Sequence, residues 1–326
     1  MFFKTYVITH PECSNIDLNL VGNMIIGYID KSLKNQAFMV EIINGAFDAD
    51  KIDYIQRDSH FTGIKMVLDL PRLFYTINIV KKDNYYRLCV DINGVATLEQ
   101  IIFNKMMLYS TVYHHQKVRA ATSLVKGVLN TLRSDAKITL YGKDFKSAAD
   151  FLELTDNNIY EIAKKDIEFI TTEVKSLCNR KLPMRTVAVS AKSIDKRDSF
   201  SDLASFLEDN EFSDVETQNI LKEAIAEVAK EKNPDILPQD IYIDFPKLPN
   251  FKEASTCLIK DTDETITLRK VFPMEDWVKA FSENKYRGYI FTKNEYREDV
   301  FESTREVFQE AFQVDLLPLA KALCKF

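Results

Sequence analysis

The chain has 326 residues, 46% hydrophobic and 28% charged, with a formal net charge of −6. That is material for one large or two smaller buried cores, and the mild acidity excludes a broad polyanion-binding surface while leaving room for a local basic patch. Only eight glycines occur and no GxGxxG or GxxxxGK[ST] run, which excludes a Rossmann or P-loop phosphate cradle. The chain opens MFFKTYVITH, too short an apolar run for a signal peptide and without its cleavage pattern. Residues 16–29 place Leu18, Val21 and Ile25 at helical spacing, and residues 33–44 do the same with Phe38, Met39, Ile42 and Ile43. Both read as core helices.

The stretch Gly45–Gly63 (GAFDADKIDYIQRDSHFTG) follows. As a helix at about 100° per residue it stacks Asp50, Tyr54 and Asp58 at i, i+4 and i+8, flanks them with Lys51 and Arg57, and turns Ile52 and Ile55 the other way. Acids, a cation and a phenol on one face suit a metal with a phosphorylated sugar. They equally suit a surface helix with local ion pairs. Next, Ile77 and Ile79 alternate with polar neighbours, as do Leu88 and Val90, and Asp83-Asn84 lies between the two runs, which predicts a short hairpin.

From Thr97 to Arg133 the pattern is that of one long helix, its apolar stripe running through Leu98, Ile101, Ile102, Leu108 and Val112. Lys105 falls in that stripe, with Tyr109 and Tyr113 at i+4 and i+8. Periodicity alone favours a lysine that snorkels outward over one that meets a buried anion. His114 and His115 are adjacent and cannot both face one metal from a helix. Further helices are expected near 143–152 and 158–178. Seven of the nine prolines lie at or beyond Pro183, where strand-like runs at 186–190, 241–245, 266–271 and 287–292 alternate with helical ones at 213–232, 275–283 and 295–312. The expected architecture is mainly α: a helical domain over 1–182 and a smaller α+β lobe over 183–326. The five cysteines (Cys13, Cys89, Cys178, Cys257, Cys324) are widely spaced with no CxxC, pointing to a reducing compartment. With no apolar run long enough to span a membrane, the expectation is a soluble cytoplasmic protein.

The run FDADKIDYIQRDSHFTG resembles the second signature of the HD-domain phosphohydrolases, in the branch of the deoxynucleoside triphosphate triphosphohydrolases and dGTPases: D-x-D-[RK]-x-D-Y-x-x-R-D-x-x-x-x-G, met from Asp48 to Gly63. NKMMLYSTVYHH is similar to that family's later helix, [RK]-x-x-[ML]-[YF]-x-x-V-Y-x-H, and WVKAFSENKYRGYIF has the look of its C-terminal lobe. The resemblance implies the C-terminal part of an all-helical HD domain followed by an α+β lobe. It implies that Asp50 is one ligand of a divalent metal (Mg, Mn, Fe or Zn) otherwise held by two histidines and a second aspartate. It further implies that Lys51 contacts a triphosphate, that Tyr54 and Asp58 line the sugar pocket, that Lys105 replaces a phosphate-binding arginine, and that Tyr113 packs on the deoxyribose. The chemistry implied is attack of metal-bound water on phosphorus, releasing deoxynucleoside and triphosphate.

The family's upstream histidine and His-Asp dipeptide have no counterpart. His10, His60, His114 and His115 are followed by Pro, Phe, His and Gln. One aspartate is too few donors for a stable metal site. The expectation is therefore part of a longer or split enzyme, inactive by itself, whose H…HD ligands come from a further segment or a partner polypeptide. A non-catalytic nucleotide-binding relative that assembles with an active subunit, or a nucleic-acid-binding module, are the alternatives. Asp69 and Arg72 fit a family-like D-x-x-R, but Asp91 and Asn93 stand where some relatives carry cations. Nucleotide-activated assembly is thus not expected, and homo-oligomerisation is implied by resemblance alone.

Overall fold

A computed structural model of the protein describes residues 15–134, 147–153, 155–162, 168–196, 199–207, 214–247, 251, 255–262 and 264–324. The chain is mainly helical with two small sheets. Its contacts divide it into two compact units, Met1–Tyr109 with Pro249–Phe281, and Ser110–Leu248 with Ser282–Phe326. Position 183, where the sequence changes composition, lies inside the second of these.

In the first unit α1 (Leu18–Ile26) is capped by Asp17 and packs on α2 (Ala37–Asn44). Gly45 leads into α3 (Ala49–Thr62), and α4 (Leu70–Thr76) precedes β1 (Ile77–Lys82) and β2 (Tyr85–Asp91). The hairpin forms where Asp83-Asn84 stands because both residues sit at positive φ, 50° and 66°. That is the two-residue turn Asp and Asn tolerate best after glycine. α5 (Val95–Leu108) buries Leu98, Ile101, Ile102 and Leu108 as its stripe requires, and packs on α3. Two short late strands join the same sheet. β5 (Leu258–Lys260) runs parallel to β2, and β6 (Thr265–Thr267) closes the order β1-β2-β5-β6. The strand expected over 266–271 ends at Thr267. Leu268, fully buried, donates its N–H to the Cys257 carbonyl at 2.9 Å and starts a turn of 3-10 helix over Leu268–Lys270. α11 (Met274–Lys285) follows.

The long helix expected over Thr97–Arg133 is interrupted. After α5 the residues Tyr109–Tyr113 form a turn of π-helix, and α6 (Gln116–Ser134) begins beyond it. No Gly or Pro marks this change, so an unbroken 3.6-residue period passes over it.

The second unit holds the antiparallel sheet β3 (Met184–Val189), β7 (Gly288–Thr292) and β4 (Tyr242–Asp244), in the order β3-β7-β4. Helices α9 (Phe200–Leu207), α10 (Asp214–Lys230) and α12 (Arg297–Phe312) supply its core, where Ile225, Val300 and Phe308 meet Val187, Ile243 and Ile290. Gly288 allows the close approach of Phe245, whose ring would lie 2.2 Å from an added Cβ. On α6, Leu124, Val128 and Leu132 form an i, i+4, i+8 stripe against Ile170 and Val174 of α8 (Glu168–Cys178). α7 (Asp156–Ile162) precedes α8, and residues 163–167 lie outside the described set. The helix expected at 143–152 begins outside it too. Its described end, Ala148–Glu153, is 3-10 helix. No helix among the described residues is long and apolar enough to cross a membrane.

Candidate active-site wall

The site is built on α3. Asp48 is its N-cap, and the Oδ1 atom accepts the Lys51 N–H at 2.8 Å. Gly63, at φ 71°, ends the helix in the left-handed conformation that glycine adopts without strain. Both are fixed positions of the signature, so two of its residues serve to bound the helix. Ile52 and Ile55 are buried as expected, which turns the polar face outward. Asp50 lies exposed in the first turn, where the helix N-terminus favours a carboxylate. Tyr54 and Asp58 are half-buried below it.

The Lys51 side chain folds back. Its Nζ donates to the Gly45 carbonyl at 2.8 Å and to Asp48 Oδ2 at 2.5 Å, holding the turn before α3 closed. Arg57 pairs with Asp53 one turn earlier, an exposed link of helix to itself. The Tyr54 phenol is pushed up, first by burial, then by Tyr109 facing it and by Asp48, Asp50 and Asp58. Tyr109 is raised by burial as well. Both phenols are therefore neutral hydrogen-bonding groups at physiological pH, in a carboxylate-rich setting.

Lys105 of α5 places its Nζ 4.9 Å from the centroid of the Phe251 ring, a cation–π contact within the first unit. Beside it, buried Asn104 donates to the Val67 carbonyl at 2.8 Å. Thus Asp50, Lys51, Tyr54 and Asp58 share one helix, and Lys105 lies on the helix packed against it. Tyr113 ends the π turn and belongs to the second unit. The Asp69 and Arg72 pair resolves into separate roles. Asp69 caps α4, and the Arg72 guanidinium donates to the Asn93 carbonyl at 2.8 and 3.2 Å. Tyr109 as the partner of Tyr54, and Phe251 under Lys105, were not read as site residues from sequence. Tyr109 carried a signal in its i+4 spacing from Lys105, whereas Phe251 carried none.

The donors present do not by themselves fit a divalent metal. Among the described residues no three His, Cys, Asp or Glu side chains gather, and Asp48 is committed to its cap and to Lys51. His60 is exposed on α3, His114 is buried in the second unit, and His10 lies outside the described residues.

Residues 68–314 match the family model of the HD-associated region. The chain belongs to the HD-associated-region family. It is 30% identical over 138 residues to the uncharacterised protein MJ1154 of Methanocaldococcus jannaschii, covering 41% of this chain and 30% of that protein. It is 27% identical over 125 residues to human deoxynucleoside triphosphate triphosphohydrolase SAMHD1, covering 37% of this chain and 17% of the human protein. This chain thus matches less than a third of the length of either relative. A hypothetical protein from Aquifex aeolicus has a similar fold, with a TM-score of 0.58 at 19% identity over 92% of this chain and 70% of that one. A Bacteroides thetaiotaomicron phosphohydrolase gives 0.57 at 17%, over 85% and 67%.

Proposed function

We propose that this chain is part of a metal-dependent HD phosphohydrolase acting on deoxynucleoside triphosphates, with Asp50 one of several metal donors. The others would come from a further segment or partner polypeptide carrying the H…HD motif. The observation that carries this is the α3 wall, where Asp50, Tyr54 and Asp58 form one polar face over buried Ile52 and Ile55.

In this reading the half-buried Tyr54 and Asp58 offer a neutral phenol and a carboxylate to sugar hydroxyls. Lys105 brings a point charge to phosphate oxygens across from them. Lys51 meets the phosphates only by leaving Asp48, so substrate binding would open the turn before α3. A divalent ion held in part by Asp50 would supply charge neutralisation at phosphorus, and no donor set among the described residues holds it alone. A cytoplasmic location and assembly into homo-oligomers belong to the same proposal.

The test is dGTP hydrolysis with Mn²⁺ or Mg²⁺ by the 326-residue chain, with and without a polypeptide bearing H…HD. Negligible turnover alone and restored turnover together are expected. Robust metal-dependent turnover by the chain alone would sink the account of missing donors. A second reading, a nucleotide-binding relative without catalysis, is favoured by the lack of a metal-donor cluster among the described residues. Metal-independent dGTP binding with no restored turnover would select it.

A further inference from the structure

A cavity lies in the first unit beneath the turn that leads into α3. Its free space is about 80 Å³, and about 580 Å³ when its mouth is included. Phe47, Leu73, Leu88, Val90, Leu98 and Leu258 are among the apolar side chains that line it. The polar side chains that reach it are Glu41 and Arg87, which pair with each other, the uncharged Thr256 and two thiols. Glu41 Oε1 accepts Arg87 Nε at 2.8 Å and Nη2 at 2.5 Å, while Oε2 accepts the Leu88 N–H at 2.7 Å. The two thiols on the wall, Cys89 and Cys257, are pushed up by burial to about 11 and about 12, so both are protonated at neutral pH. With its two charged side chains paired to each other, such a lining offers a charged ligand little in return for its lost hydration, whereas an apolar one meets mainly apolar side chains.

Size narrows the class further. An apolar cavity of about 150 Å³ admits benzene, so this one suits a molecule of roughly three to five heavy atoms. Position gives such an occupant a consequence. Ala46 and Phe47 face the cavity, and the residues on either side, Gly45 and Asp48, both accept hydrogen bonds from the Lys51 ammonium.

We infer that this cavity is a binding site for a small uncharged apolar molecule, and that filling it displaces the Gly45–Asp48 turn and with it Lys51. The site itself stands apart from the nucleotide assignment. Only the meaning of a displaced Lys51 for phosphate binding rests on that proposal.

The probe is isobutanol, with isobutyrate as its charged counterpart on the same carbon skeleton. The methyl resonances of Leu88, Val90 and Leu98 should shift saturably with isobutanol and not with isobutyrate. The Lys51 amide, which donates to Asp48, should shift in step. Alkylation of Cys257 by N-ethylmaleimide, followed by mass spectrometry, should slow severalfold under saturating isobutanol. Leu98→Phe should fill the space and abolish all three responses, and Val90→Ile, a milder filler, serves if that variant does not fold. Methyl groups that ignore isobutanol, or that respond equally to isobutyrate, would overturn the site. Methyl shifts without a change at Lys51 would overturn the coupling to α3. None of these readouts involves phosphohydrolase activity, so failure here and failure of the nucleotide reading are separate results.

Discussion

Lys51 reaches back one helical turn to Asp48, placing its ammonium on the carboxylate whose other oxygen caps α3. One aspartate thus satisfies a backbone donor and a side-chain cation together. Asp48→Ala removes both and should lower unfolding free energy by about 1–2 kcal/mol, the usual cost of a lost N-cap. Asp48→Asn keeps a capping oxygen and should lose less than half of that. Urea denaturation of the three proteins measures the difference. Equal losses in the two variants would assign the stability to the ion pair instead of the cap.

Lys105 sits over Phe251, and the contact constrains what its removal does. Lys105→Met keeps the aliphatic stem and deletes the charge, so the fold should lose at most about 1–2 kcal/mol of cation–π interaction. In a reconstituted enzyme the same change removes one charged hydrogen bond to phosphate, raising KM for dGTP by about tenfold to hundredfold. Steady-state kinetics read the split. An unchanged KM would return Lys105 to packing on Phe251 alone.

The elements that sequence made legible are those fixed by local chemistry. The polar stripe through Asp50, Tyr54 and Asp58 and the buried Ile52–Ile55 pair opposite it define α3 within one window. Asp83-Asn84 defines the hairpin because its turn asks for two residues that accept positive φ. What escaped was non-local or unmarked. β5 is three residues long, and its place beside β2 depends on a pairing far along the chain that no short window contains. The π turn at Tyr109–Tyr113 has no breaker residue, so the stripe through Lys105, Tyr109 and Tyr113 read as one face while the backbone changes its register. The Lys51 position was visible. Its choice of Asp48 over an open face depends on Asp48 being the cap, and that is a property of the folded turn.

His114 is buried beside Arg119 and contacts the Tyr286 ring edge-on, and its pKa falls to about 4, chiefly through burial and then through the Arg119 charge. The unfolded chain, with a histidine near 6.5, binds the proton more readily than the folded one. Stability should therefore fall as pH drops through the window from 6.5 to 4, by on the order of 3 kcal/mol in all. Thermal melts of wild type and His114→Gln across that window isolate the contribution. The variant should be flatter with pH, and parallel curves would mean that His114 takes up its proton equally well folded and unfolded.

Arg119 and Asp244 form a two-pronged ion pair in the second unit, with Nε to Oδ2 at 2.8 Å and Nη2 to Oδ1 at 2.5 Å. Asp244 is fully buried, and Lys126 also lies within its field, while Lys222 is lowered by burial and by Lys126. The two partners are therefore not equivalent. Asp244→Asn removes the carboxylate from Arg119 and from the field of Lys126, leaving the repulsion between these two cations uncompensated by it, so it should cost about 3–5 kcal/mol. Arg119→Met leaves Asp244 with the attraction of Lys126 and should cost measurably less. In the Asp244→Asn protein the Lys126 ammonium, already lowered by burial, should titrate at still lower pH. Denaturant unfolding of both variants gives the order, and NMR titration of the lysine side chains gives the shift. An equal cost for the two substitutions would mean that Lys126 lends Asp244 no support.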